Sequence, residues 1–212
     1  APAATARRQG SLAEGQPGGT DSAGALHATQ LTPDEVERIL RVCGTDALLV
    51  GGQALAVWAV HYDIQPIGEL SRAVTMDVDF IGTSDVAHAL QRALGQPWKL
   101  RKGTLDDVGG QVAKVYAKTM DGIKQVDFLS GIVGLDTEVV CKRATEVTLP
   151  DGVAVNVLHP LDVLESRLRN LDSIPAKRDA TGVAQARLAV SVVRAFIEDY
   201  MDGGNDPRTV RQ

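Results

Sequence analysis

Val50-Gly51-Gly52-Gln53, followed downstream by Val74-Thr75-Met76-Asp77-Val78-Asp79-Phe80, decides the reading of this chain. The first stretch is a glycine turn between a short apolar run, Ala47 to Val50, and an apolar helix expected over Ala54 to Tyr62. Backbone N–H groups at such a helix start face the turn, and with the positive end of the helix dipole they favour an anion such as phosphate. Glycine lets the backbone come close to it. In the second stretch the strand period of two sends Asp77 and Asp79 to one face and Val78 and Phe80 to the other. Two adjacent carboxylates repel, and a bound cation offsets that repulsion. Magnesium fits the donor type, since it takes oxygen ligands from one or two carboxylates plus substrate phosphates. Thr75 is placed to contact a phosphate or to hold a carboxylate, or it is a plain strand threonine.

A third carboxylate lies further on. Gln111 to Met120 and Ile123 to Leu129 alternate as strands around Asp121-Gly122, a two-residue hairpin signal, and Asp127 stands between Val126 and Phe128. If this hairpin lies beside the Asp77/Asp79 strand, Asp127 reaches the same centre and can serve as a general base toward a hydroxyl.

The remaining sequence reads as an α/β protein with a mixed sheet, flanking helices and a small helical C-terminal region. Residues 1–30 are rich in Ala, Gly, Ser and Thr and read as a flexible tail. Residues 31–158 make the main domain and 159–212 the helical region. Thr32-Pro33-Asp34-Glu35 is a capping box that starts a helix ending near Gly44, and Ser84-Asp85 caps another that runs to about Leu94. Strands are expected around Trp98 and Gln111, and a second hairpin spans Glu146 to Leu149 and Val153 to Leu158. Helices follow from Pro160 to Leu171 and from Ala176 to Met201.

Composition narrows the function classes. The 212 residues include 44% hydrophobic positions, enough for a sizeable core. No apolar run approaches the roughly 20 residues that span a bilayer, and the N-terminus lacks the apolar segment of a signal peptide, so a cytoplasmic protein with no membrane partner is expected. Cys43 and Cys141 lack metal-type spacing and read as free thiols, and the four histidines show no zinc pattern. A net charge of −5 argues against a protein that coats nucleic acid by charge alone, while a local basic rim from Lys114, Lys118, Lys124 and the arginines of the C-terminal helices remains available.

Leu49-Val50-Gly51-Gly52-Gln53-Ala54, Thr75-Met76-Asp77-Val78-Asp79-Phe80 and Val126-Asp127-Phe128-Leu129 together resemble the nucleotidyltransferase superfamily of the polymerase-beta type. The likeness covers about residues 36 to 130 and leans toward the bacterial minimal nucleotidyltransferases and the nucleotidyltransferase toxins of abortive-infection systems. It implies a nucleotidyltransferase-like fold and transfer of a nucleoside monophosphate from a nucleoside triphosphate to an acceptor hydroxyl on an RNA end such as tRNA, a protein or a small molecule. Gly51 and Gly52 would form the phosphate turn, and Asp77 and Asp79 would hold two divalent metal ions, Mg2+ by preference. Asp127 would be the third carboxylate at the metals, and Lys177 and Arg178 would lie near the nucleotide phosphates. The toxin branch further implies a cognate antitoxin as partner. A catalytically inactive regulator with the same fold, binding nucleotide or a partner chain, is the competing reading. The chain departs from the pattern twice: 24 residues separate Gly52 from Asp77, and after Lys177-Arg178-Asp179 the resemblance has an aspartate a turn later where this chain has Gly182.

Overall fold

The computed structural model describes residues 28–65, 77–104 and 110–203. The expected tail up to residue 27, Thr75 and most of the loop ahead of Asp77 lie outside these residues.

The capping box at Thr32 forms as the sequence predicts. The Thr32 hydroxyl accepts from the Glu35 N–H, the Glu35 carboxylate accepts from the Thr32 N–H, and helix α1 (Pro33–Cys43) runs to Gly44. Strand β1 (Leu48–Val50) leads directly into α2 (Gly51–His61), so the two glycines form the first turn of the helix rather than a separate loop. After β2 (Val78–Ile81) comes α3 (Ser84–Leu94), capped by the Thr83 hydroxyl, one residue earlier than the expected cap. Strands β3 (Lys99–Lys102), β4 (Gln111–Thr119) and β5 (Gly122–Leu129) follow, with β4 and β5 folding about the predicted Asp121-Gly122 hairpin. A short helix α4 (Thr137–Lys142), which the sequence reading omits, precedes the hairpin of β6 (Thr145–Thr148) and β7 (Ala154–Val157). Helix α5 (Pro160–Ser173) begins at the expected proline. The long helix expected from Ala176 is interrupted: residues 175–177 form one 3-10 turn, and α6 (Ala180–Asp202) starts only after Asp179, whose carboxylate accepts from the Gly182 N–H.

The seven strands form one mixed sheet in the order β3-β4-β5-β2-β1-β7-β6. β2 pairs parallel with β5 and antiparallel with β1, while β1 pairs parallel with β7. This is an α/β protein, and the period-two reading explains its core. Val78, Phe80, Val115, Ala117, Val126 and Phe128 point to the back of the sheet and are buried, with Phe80 stacked on Phe128 and α3 packed over β3 and β4. Ala28 and Thr29, at the end of the expected tail, are tied to β5 through Ile123. Apolar residues of α5 and α6, among them Val163, Leu188 and Val192, belong to the same core as the sheet, and α2 packs against both helices. The Trp58 indole N–H of α2 donates to the Leu158 carbonyl at 2.8 Å and ties that packing to the end of β7.

Candidate active site

Parallel pairing of β2 with β5 sets Asp79 directly opposite Asp127. Partners in register share a face, so both carboxylates point to the front of the sheet, and Asp77, two residues before Asp79, precedes β2 on the same side. The three aspartates singled out in the sequence are therefore brought together by one strand pair.

The α2 start closes on Asp79 from the β1 side. Gly51 takes φ +70°, and a β-carbon built there would lie 2.3 Å from Asp79 Oδ2, which only glycine avoids. Val50, the residue before the helix, offers no side-chain cap, and the first turn carries no acid. The uncapped helix start and the Asp79 carboxylate thus occupy one corner, where Gly51 makes the close approach and Gly52 is buried in the turn behind it.

Asp127 is gripped from β4 and from its own strand. Its Oδ1 accepts from the Gln111 side-chain amide at 2.5 Å and lies 3.3 Å from Lys114 Nζ. Its Oδ2 accepts from the Gln125 amide at 3.2 Å. Gln125 also donates to Asp77, and its carbonyl accepts from Lys114 at 3.0 Å, so one amide bridges two of the carboxylates. Arg101 of β3 donates to the Gln111 side-chain oxygen Oε1 at 2.6 Å and completes a relay across three strands. Gln111, Gln125, Arg101 and the role of Lys114 were not singled out from sequence. Their signal is cross-strand register, which a chain of unknown pairing does not carry.

Helix α5 and the turn that follows it supply further cations. Arg167 of α5 is 8% exposed, donates to the Gln185 side chain at 2.9 Å and acts electrostatically on Asp79. The sequence places it in the basic rim with the other arginines of the C-terminal helices; its burial takes it out of that rim. Lys177, on the 3-10 turn, acts on both Asp77 and Asp79. Arg178, grouped with Lys177 by resemblance, instead bonds the Leu171 and Asp172 carbonyls and closes the C-terminal end of α5. Lys124 leaves the expected basic rim as well, because it lies on the back of the sheet and pairs with Glu35 at 2.8 Å.

Burial pushes all three carboxyls above the ordinary carboxylate range. For Asp79 burial is the largest cause, followed by repulsion from Asp127 and Asp77, and Arg167 and Lys177 only partly offset these, leaving it at about 6. Asp127 is raised by burial against the pull of Lys114, and Asp77 by burial against Lys114 and Lys177. Among the described residues no three His, Cys, Asp or Glu side chains are arranged to enclose a metal ion. With Asp127 already occupied by amides and an ammonium, Asp77 and Asp79 are the pair with the right chemistry for a hard cation, a set that suits an ion completed by phosphate and water.

No protein-family model and no curated protein sequence matches the chain. Among solved structures it is similar to the crystal structure of the Megavirus polyadenylate synthase, with 13% identity and a TM-score of 0.42, over 84% of this chain and 37% of that one.

Proposed function

We propose that this protein transfers a nucleoside monophosphate from a nucleoside triphosphate to an acceptor hydroxyl. One observation carries the reading: Asp79 and Asp127 stand in register on adjacent parallel strands, with Asp77 beside them and a helix start packed against Asp79 through Gly51. Asp77 and Asp79 would hold magnesium, which when bound offsets negative charge on the phosphate oxygens. The α2 start and Lys177 bind and orient the triphosphate, and Arg167 partly offsets the charge of Asp79. Asp127, held by Gln111, Gln125 and Lys114, faces the acceptor, and its raised pKa makes it a better proton acceptor than an ordinary carboxylate. The acceptor oxygen bonds the α-phosphorus, the bond from that phosphorus to the β-bridging oxygen breaks, pyrophosphate leaves, and the hydroxyl proton goes to Asp127.

The test is incubation of the full chain with each α-labelled nucleoside triphosphate and magnesium, with cell RNA or protein as acceptor. Label should enter an acceptor fraction, Asp127→Asn should cut the rate about a hundredfold to ten-thousandfold, and triphosphate affinity should fall far less. Magnesium-dependent triphosphate binding without transfer to any acceptor, unchanged by Asp127→Asn, would instead favour the catalytically inactive regulator.

A further inference from the structure

The front of the sheet does not stop at Asp127. Register carries one row outward through Asp79, Asp127, Lys114 and Arg101 to the edge strand, and the neighbouring row runs through Gln125, Tyr116 and Lys99. Lys118, opposite Ile123, continues the same face along β4. From Asp79 to β3 is three strand spacings, about 14 Å at 4.7–4.9 Å each. Lys99, Arg101 and Lys118 are exposed, and Lys114 and Tyr116 are half-buried. Among the described residues of β3, β4 and β5, Asp127 is the one acid on this face, although the whole chain carries −5. Cations have therefore been gathered here against the trend of the composition. α3 packs on the buried reverse of β3 and β4, and among the described residues no other helix packs on these two strands, which leaves this side open.

We propose that this open face of β3 and β4 binds a single-stranded polynucleotide and leads its terminal hydroxyl to Asp127. The proposal rests on the nucleotidyl-transfer reading and names its acceptor. Lys99 and Lys118 have no charged partner among the described residues, so they are available to phosphates. Lys99 and Arg101, two apart on β3, lie about 6.6–6.8 Å from each other, a spacing that lets neighbouring cations meet successive phosphates of an extended strand. Tyr116 stands opposite Lys99 and two residues before Lys118 on the same face, and offers a ring on which a base stacks, the usual partner of a basic track in sequence-tolerant binding. An acidic peptide would use the charges and leave the ring without a role. Chemistry at the end of the track is the step already described: the strand's terminal oxygen bonds the α-phosphorus, pyrophosphate departs with the broken bond, and the proton passes to Asp127. The α2 start, on the β1 side of Asp79, lies on the opposite flank of the carboxylates from β4 and β3, so the two substrates meet at Asp79 and Asp127.

The experiment measures binding of labelled short single-stranded RNA and DNA of mixed sequence to the full chain over a salt series, beside binding of magnesium and nucleoside triphosphate. Lys99→Gln combined with Lys118→Gln should weaken strand binding on the order of tenfold or more near 0.1 M salt and lower the salt slope by roughly 1.4, at 0.7 per phosphate contact. Triphosphate binding should not change. Lys102→Gln is the control, because Lys102 is exposed on the same strand and its partner Ala113 places it on the back face; it should leave strand affinity within about twofold. Triphosphate binding that depends on Asp77 and Asp79 with no binding of either oligonucleotide, or equal losses in Lys102→Gln and the double variant, would overturn this acceptor and leave nucleotidyl transfer standing. Binding of a glutamate-rich peptide in place of the oligonucleotides, with the same dependence on Lys99 and Lys118, would also overturn it. Absence of any magnesium-dependent triphosphate binding would instead remove the underlying reading.

Discussion

At Gly51 a single methyl group decides whether the site exists. Its φ of +70° costs an L-residue about 1–2 kcal/mol, and the added β-carbon would stand 2.3 Å from Asp79 Oδ2. Gly51→Ala should therefore destabilise the protein modestly while pushing the Asp79 carboxylate out of its corner, and the thermal shift produced by magnesium plus nucleoside triphosphate should largely disappear. A variant that keeps the full shift would mean that Asp79 does not need that corner. Much of this centre is legible in the sequence, since period two aligns Asp77 with Asp79 and an isolated Asp127 between Val126 and Phe128 asks for a partner. The glycine turn is legible as well. What Gly51 makes room for is not, because Asp79 reaches it only through the pairing of Val50 with Asp79. The grip of Gln111, Gln125 and Lys114 on Asp127 is hidden for the same reason: each is an ordinary polar strand residue until the register with β5 is known.

Between α5 and α6 the chain uses a three-residue turn to aim Lys177 at the carboxylates. Apolar periodicity predicts a helix already from Ala176, but residues 175–177 form a 3-10 turn and the Asp179 side chain caps α6, which starts only at Ala180. Gly182 explains the departure from the toxin-type pattern in steric terms. A β-carbon there would lie 1.8 Å from the Lys177 carbonyl oxygen, so no aspartate fits without opening the turn. Gly182→Ala should move the turn, cost about 1–3 kcal/mol of stability, and weaken triphosphate binding about as much as Lys177→Gln does. The double variant should lose little more than either single one in titration calorimetry. Additive losses would show that Gly182 and Lys177 act separately. The capping box of α1 and the β4–β5 hairpin were legible because their signals are local, whereas the six residues of α4 are too few for a helical period to register.

Over the whole molecule two half-buried groups set opposite responses to acid. Asp79 at about 6, above its ordinary 3.8, makes the folded state hold the extra proton, so its contribution to stability is present below about pH 3.8 and is lost as pH rises through 6. His159 behaves in the reverse sense. Its ring accepts from the Leu161 N–H at the start of α5 and stands edge-on to Phe196 of α6, and burial with the nearby Arg143 lowers it to about 4. Stability from the neutral ring is therefore present above about pH 6.5 and lost as pH falls through 4. Each shift corresponds to about 2 kcal/mol once partial exposure is allowed for. Because the windows overlap, these two contributions should nearly cancel in the wild type between pH 4 and 6 without divalent metal, and each substitution should expose the other. Relative to wild type, Asp79→Asn should gain about 2 kcal/mol on going from pH 4 to pH 7, with Arg167 charged throughout. His159→Asn keeps a capping oxygen, loses the ring contact at every pH, and should become relatively weaker as pH rises over the same range. Urea melts across pH 4 to 7 read both difference curves directly. Curves that run parallel to the wild type would mean that neither group changes its proton occupancy on folding, and burial of Asp79 with its crowding by Asp127 and Asp77 would then not raise its pKa.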